Sequence, residues 1–239
     1  MSFFYEFGKM LGPKVRKAKW VMSSLTGTEA DIIRAEAEVG RDLAAAFKQQ
    51  MPLDARPEVR LWIDDIGNRL AGLLEQKAWR FQFLPVNLGE CNAFAVPGGY
   101  IFITRGLLDL CQWDADETAF VLGHEMGHVV SHHAMDRLMA NSLLNAAMMR
   151  LPLGRGVLKP SLASLAGTLL QQGYSREQEF EADRFGCLLS RRAGFAHDAG
   201  VRLLNRLQSE AGDTGVLASY FTSHPPFPSR IQHLNGVGS

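Results

Sequence analysis

Residue types able to hold and use a metal ion stand together in one short run. Residues 121–133 read Val-Leu-Gly-His-Glu-Met-Gly-His-Val-Val-Ser-His-His, so His124, Glu125 and His128 form an H-E-x-x-H pattern. On a helix, four residues give roughly 400° of rotation and about 6 Å of rise. His124 and His128 then stack on one face, one turn apart, and both can point at one cation. Glu125 lies about 100° round from His124, beside the ion, where a general base for water belongs. The plain alternative is a helix with two incidental histidines. The flanking residues Phe120, Val121, Leu122, Val129 and Val130 are apolar. A polar His-Glu-His stripe buried among them without partners carries a heavy desolvation cost. A bound cation removes that cost.

A second run, from Ser175 to Gly186, reads Ser-Arg-Glu-Gln-Glu-Phe-Glu-Ala-Asp-Arg-Phe-Gly. Ser175 and Gln178 make a capping box, so a helix starts there. Glu179 and Asp183, four apart, share a face and repel each other unless something positive is near. Glu179 can be a third zinc ligand, and Asp183 can hydrogen-bond the second nitrogen of a ligating histidine. Glu177 and Glu181 fall on other faces and read as solvated or paired with Arg176 and Arg184. Near the C-terminus, Ser223-His224-Pro225-Pro226-Phe227-Pro228 is a rigid turn that fixes the direction of His224. That histidine could donate to an oxyanion, or ligate zinc when substrate is absent. The metzincin arrangement needs Gly and His where Ser131 and Ala134 stand, so it fails. His132 and His133 lie on other faces of the H-E-x-x-H helix and read as incidental.

The elements that must position these residues follow from capping and period. Thr28 to Met51 reads as a helix with Thr28 at its N-cap. Pro57 opens a second helix to about Lys77, with Val59, Leu61, Trp62, Ile66, Leu70, Leu73 and Leu74 at core spacing. Trp79 to Val86 alternates weakly. Cys91–Val96 and Tyr100–Thr104 flank Pro97-Gly98-Gly99 and predict a β-hairpin. The metal helix follows, with an Asp114/Glu117 start signal of capping-box type. An extended peptide could add to the hairpin as a further strand; the bland alternative is that the hairpin completes a small sheet. Residues 134–173 read as two helices and a mobile connection, either a helical hairpin or a lid. Another helix follows over His197–Ala211, and a short final one after Pro228.

The chain has 239 residues, 46% of them hydrophobic, with 25 basic and 25 acidic side chains. Neutrality argues against a nucleic-acid partner. Cys91, Cys111 and Cys187 are sparse and odd in number, which predicts buried thiols and a reducing compartment. No run of 18 apolar residues and no signal peptide are found, so the expected location is cytoplasmic or peripheral to a membrane. Residues 1–27 combine Phe3, Phe4, Tyr5, Phe7 and Trp20 with Lys9, Lys14, Arg16, Lys17 and Lys19. This arm could rest on an anionic membrane through residues 1–20, although packing against the domain or a partner subunit is the simpler reading.

The spacing His124-Glu125-x-x-His128 followed by Glu179-x-x-Ala182-Asp183 resembles the zinc metalloprotease family that includes the CAAX prenyl protease and the HtpX-type, Oma-type and BepA-type peptidases. Asn92-Ala93-Phe94-Ala95-Val96-Pro97-Gly98-Gly99 and Ser223-His224-Pro225-Pro226 match as well, over roughly residues 30–235. The resemblance implies an α+β, mostly helical, zincin-like fold with a small sheet beside the metal helix, in one metallopeptidase domain over 28–239. It implies one Zn²⁺ per chain on His124, His128 and Glu179, with Glu125 as base and Asp183 as support. His224 would stabilise the transition state or block the zinc in a latent form. Substrate contact is expected at Asn92, Ala93, Phe94, Pro97, Gly98 and Gly99. The implied activity is endopeptidase cleavage of unfolded, misfolded or membrane-associated protein, in quality control. A non-catalytic, chaperone-like scaffold with structural zinc is the rival from another class.

Overall fold

The structure, a computed structural model, describes residues 28–74, 79–148, 169–170, 173–210, 217–224 and 228–237. The arm 1–27, most of the connection read as a lid, and the Pro225-Pro226-Phe227 turn lie outside them. The first helix, α1, runs Glu29–Gln50; the Thr28 side chain accepts from Asp31 N–H and Asp31 reaches back. Helix α2, Pro57–Ala71, begins with proline at a position where no N–H is needed and ends at Gly72. It is shorter than the sequence pattern suggested, and its apolar stripe is narrower. Val59, Ile66 and Leu70 are buried, whereas Leu61 and Leu73 are 69% and 41% exposed. Two residues are roughly 200° of helix, so Leu61 points away from the face that Val59 buries.

The sheet has three strands: β1 (Gln82–Val86), β2 (Ala93–Val96) and β3 (Tyr100–Thr104), in the order β1-β3-β2. Strands β2 and β3 form the expected hairpin, antiparallel from Ala93↔Ile103 to Val96↔Tyr100. At its turn Gly98 and Gly99 have φ of 81° and 95°, a region where glycine alone is unstrained. Strand β1 runs parallel to β3, in register from Gln82↔Tyr100 to Val86↔Thr104, a pairing the sequence reading did not foresee. Both faces are covered. Phe83, Ala93, Ile101 and Ile103 face the larger core, while Val86, Phe94, Val96 and Phe102 face α1. Phe47 of α1 tilts onto Phe94 and Phe102 at 5.2 and 5.6 Å. Burial on both faces explains why these strands read as nearly continuous apolar runs.

After β3 come α3 (Arg105–Leu110) and the central helix α4 (Ala115–Val130). Asp114 caps α4 by accepting from Asp116 and Glu117 N–H. Glu117 does not complete a capping box: it is buried and accepts from Arg206 at 3.0 Å. Every residue of α4 from Glu117 to Val129 is buried. Further helices among the described residues are α5 (His133–Met148), α6 (Arg176–Arg192), α7 (Ala199–Glu210), α8 (Ala218–Ser223) and α9 (Pro228–Val237). The three cysteines are buried free thiols. Among the described residues no helix is long and apolar enough to cross a membrane.

Candidate metal centre

Helices α4 and α6 cross at glycines. A Cβ on Gly186 would lie 2.7 Å from the His124 nitrogen, and one on Gly123 or Gly127 would lie 3.1 Å from the Cα of Gly186 or Ala182. Without side chains at these points the backbones nearly touch, and the acids of α6 reach the histidines of α4. His124 Nε2 and His128 Nε2 lie 3.1 Å apart. Glu179 brings Oε1 to 3.4 Å from His128 Nε2 and Oε2 to 3.8 Å from His124 Nε2. His224, just beyond α8, adds Nδ1 at 3.4 Å from His124 Nε2 and 3.0 Å from Glu179 Oε1. These four residues are buried, and their donor atoms all lie within 4.8 Å of one another.

The donor set fits zinc on two counts. Zinc bonds of about 2.0–2.2 Å at tetrahedral angles put neighbouring donors about 3.3–3.5 Å apart, and the separations between these atoms bracket that value. The formal charges agree as well. Glu125, Glu179 and Asp183 are buried carboxylates, and Arg230 is the buried cation beside them. With neutral imidazoles this leaves two uncompensated negative charges, which one divalent ion neutralises. The cluster is therefore suited to a single Zn²⁺.

Each imidazole has its own backing. His124 Nδ1 lies 3.0 Å from Asp183 Oδ1. Arg230 of α9 donates to both Asp183 oxygens, at 2.7 and 2.6 Å, and its Nη1 lies 2.7 Å from Glu179 Oε2. His128 Nδ1 lies 3.0 Å from His133 Nδ1, and the Tyr174 ring stacks on His128 at 3.6 Å between centroids. The Arg137 guanidinium covers the Tyr174 ring at 3.8 Å. Glu125 brings Oε1 to 3.3 Å from His224 Nε2. Ser223 ties the His224 segment down: its hydroxyl donates to Asn92 Oδ1 at 3.3 Å, and its carbonyl accepts from Tyr174 N–H at 3.3 Å.

The family model for peptidase family M48 matches residues 57–237. The chain belongs to that family. It is 34% identical over 161 residues to the mitochondrial metalloendopeptidase OMA1 of Arabidopsis thaliana, covering 67% of this chain and 32% of the relative. It is 30% identical to the Escherichia coli K12 metalloprotease YcaL, over 76% of this chain and 74% of the relative. The beta-barrel assembly-enhancing protease of Escherichia coli O157:H7 is 28% identical over 82% of this chain and 42% of its own length. The M48 chain thus spans about a third of the plant relative and under half of the last.

The electrostatics of this M48 centre follow from burial and charge. Burial opposes ionisation of Asp183, yet the Arg230 guanidinium and His124 hold its carboxyl below the usual range. Glu179 is held well below it against burial by His224 and Arg230. Burial pushes His128 well below the ordinary imidazole value, which keeps it a neutral donor. For His124 burial works the same way, but Asp183 and Glu179 override it and raise the ring. That pull for positive charge is one that a cation in the same place satisfies. Burial also raises the Tyr174 phenol, which stays neutral.

The hairpin residues are placed differently from the histidines. The Phe94 side chain lies in the α1 core, stacked on Phe102 at 5.0 Å, and not toward the donors. A Cβ on Gly98 would lie 2.8 Å from the Ala37 Cα, and one on Gly40 1.6 Å from the Pro97 oxygen. The turn Pro97-Gly98-Gly99 is thus packed under α1. Asn92 and Ala93 are fully buried, and the backbone of Asn92 pairs with Thr104. What β2 can offer a peptide is its outer backbone edge, since it pairs only with β3 among the described residues. A groove of about 570 Å³ between α1 and the sheet, lined by Arg34, Arg41, Trp79, Arg80 and Tyr100 among others, includes none of the four donors.

One expectation is corrected. His133 is not incidental: α4 ends at Val130, and His132 takes a left-handed φ of 59° that turns the chain back. His133 then faces His128, one helical period no longer applying. Glu181 is exposed, as expected, and in addition accepts from Ser131 at 2.6 Å and lies 3.4 Å from His133 Nε2. Arg230 went unnoticed in the sequence. The signal was Glu179 and Asp183 themselves, since an acid pair on one buried face requires a cation.

Proposed function

We propose that this chain is a zinc-dependent endopeptidase cleaving peptide bonds of unfolded, misfolded or membrane-associated proteins, in protein quality control. The observation carrying this reading is the convergence of His124, His128 and Glu179 on one point with Glu125 next to it. In this reading His124, His128 and Glu179 hold the ion, and Asp183 orients His124. Bound there, zinc would polarise the scissile carbonyl and lower the pKa of water toward about 7. Glu125 takes the proton from the attacking water and delivers it to the leaving amine. In the same reading the peptidase domain covers residues 28–239, which the core shared by α1 and the sheet supports, with residues 1–27 as an arm.

His224 stands as a fourth donor in this arrangement, so the described conformation is a closed one. Four protein ligands are also the mark of a structural zinc site, which favours the second reading, a chaperone-like scaffold. The endopeptidase reading requires His224 to swing away. That movement gives up the Ser223 contacts with Asn92 and Tyr174 and the His224 N–H bond to Tyr220 O, and a net hydrogen bond is worth about 0.5–1.5 kcal/mol. Once displaced, His224 can donate to the developing oxyanion. The same movement frees the start of β2, where an extended peptide would pair as an added strand over Asn92, Ala93 and Phe94, with Pro97-Gly98-Gly99 at its end. Contact of the basic arm with an anionic membrane, through residues 1–20, and a cytoplasmic location belong to the same proposal. Cosedimentation with anionic vesicles tests the membrane part.

Degradation of denatured casein separates the two readings. The wild-type chain should cleave it and stop when a chelator is added. Glu125→Gln should keep about one zinc per chain, yet lose roughly 10²–10⁴-fold in rate. Equal cleavage by that variant would remove Glu125 as base, and no cleavage by the zinc-loaded wild type would favour the scaffold.

A further inference from the structure

His128 is backed by a chain of groups running from the donor cluster to the protein surface. Its Nε2 faces His124 and Glu179, and its Nδ1 lies 3.0 Å from His133 Nδ1. His133 is buried, and its own Nε2 lies 3.4 Å from Glu181 Oε2. The Glu181 side chain is 61% exposed, and Ser131 Oγ donates to its other oxygen at 2.6 Å. Two ring nitrogens at 3.0 Å need one proton between them, since two lone pairs or two N–H groups would repel. A metal ligated by Nε2 leaves the proton of a neutral imidazole on Nδ1. His128 must then donate and His133 accept. The proton of His133 consequently sits on its Nε2, where it points to a carboxylate. Both tautomers agree along the row, and no other neutral assignment satisfies both contacts.

The local fold builds this row deliberately. Ser131 closes α4, its N–H donating to Gly127 O, and His132 adopts the left-handed conformation that glycine usually fills after a helix. Glu36 Oε1 holds His132 at 2.7 Å, and Trp79 packs on its ring at 5.5 Å. A bulky residue in that conformation is strained unless its surroundings fix it. The reversal it makes is what returns His133, five residues on, to His128.

We propose that His133 is a positioning residue for the metal. By accepting from His128 Nδ1 it fixes Nε2 as the ligating atom, and Glu181 holds His133 in the accepting tautomer. This rests on His128 being a zinc ligand. A carboxylate at the far end of such a row strengthens the imidazole as a donor, and outer partners of this kind change metal affinity by about 10–100-fold.

The test is the zinc affinity of the full chain, measured by competition with a chromophoric chelator. His133→Ala should weaken binding about 10–100-fold. His133→Gln, whose amide oxygen can accept the same hydrogen bond, should restore most of it. Glu181→Gln should weaken binding by a smaller factor, and its exposed site guards against misfolding. In the metal-free chain, long-range ¹H–¹⁵N spectra should show His128 protonated on Nδ1, and His133→Ala should move that proton toward Nε2. A merely structural role for His133 would not move the tautomer or be rescued by Gln. Unchanged affinity in His133→Ala, or in Glu181→Gln should the alanine variant fail to fold, overturns the proposal. His128→Ala is the control. If it binds zinc like wild type, the ligand assignment fails; if it alone loses zinc, only the row is wrong.

Discussion

The two imidazoles of one H-E-x-x-H helix are held in opposite ways. His124 is backed by Asp183 and Arg230, both fully buried, in an ionic network that also takes in Glu179. His128 is backed by neutral His133, whose row ends at an exposed carboxylate. The inner side is sealed and charged, and each charge there depends on the others. The outer side is nearly neutral and reaches solvent. Buried pairs are costly to break because the remaining partner is stranded. A neutral row ending in water relaxes when one member is removed. The inner side should therefore govern folding, and the outer side should adjust only the metal.

Arg230→Leu should give the largest effect. It strands Asp183 and Glu179, and a loss of about 3–5 kcal/mol in unfolding free energy of the metal-free chain is expected. Denaturant titration measures it, and a loss below about 1 kcal/mol would erase the distinction between the two sides. Asp183→Asn is next. It should weaken zinc binding about 10–100-fold, read by the same chelator competition, and it should change the pH dependence of stability. Asp183 and Glu179 have depressed values in the folded chain. Their contribution is fully present above the ordinary carboxylate range, near pH 4, and is lost as pH falls through the depressed values. Removing one such group should make the acid limb of the metal-free chain shallower, by up to about 1.4 kcal/mol per pH unit. Glu181→Gln should be smallest. It should leave unfolding free energy within about 0.5 kcal/mol of wild type while still lowering zinc affinity. A stability loss matching that of Arg230→Leu would show the outer side to be structural as well.

The same contrast explains what could be read from the sequence. The inner side was legible because its residues obey helical spacing: His124 to His128 and Glu179 to Asp183 each span one turn. Arg230 was not, since a lone arginine in a final helix carries no spacing signal and its partner Asp183 lies 47 residues earlier. The outer side was hidden by the period itself. Continuing the helix through residues 131–133 put His133 on a wrong face, whereas the left-handed turn at His132 breaks the period there. The capped starts of α1 and α6 and the hairpin turn were readable from local chemistry. The parallel pairing of β1 with β3 was not, because it depends on which helices cover each face. The Gly123, Gly127 and Gly186 contacts belong to neither class. They were visible as residues, but their use required both helices to be placed.

The most direct measurement of the central claim is the zinc X-ray absorption spectrum of the resting full chain. Convergence of His124, His128, Glu179 and His224 predicts one zinc with only nitrogen and oxygen scatterers at about 2.0–2.2 Å, and multiple-scattering features of three imidazoles. Loss of one imidazole signature in His224→Ala, with zinc retained, should follow. A sulfur shell from any cysteine, or fewer than three imidazoles in the wild type, would contradict it.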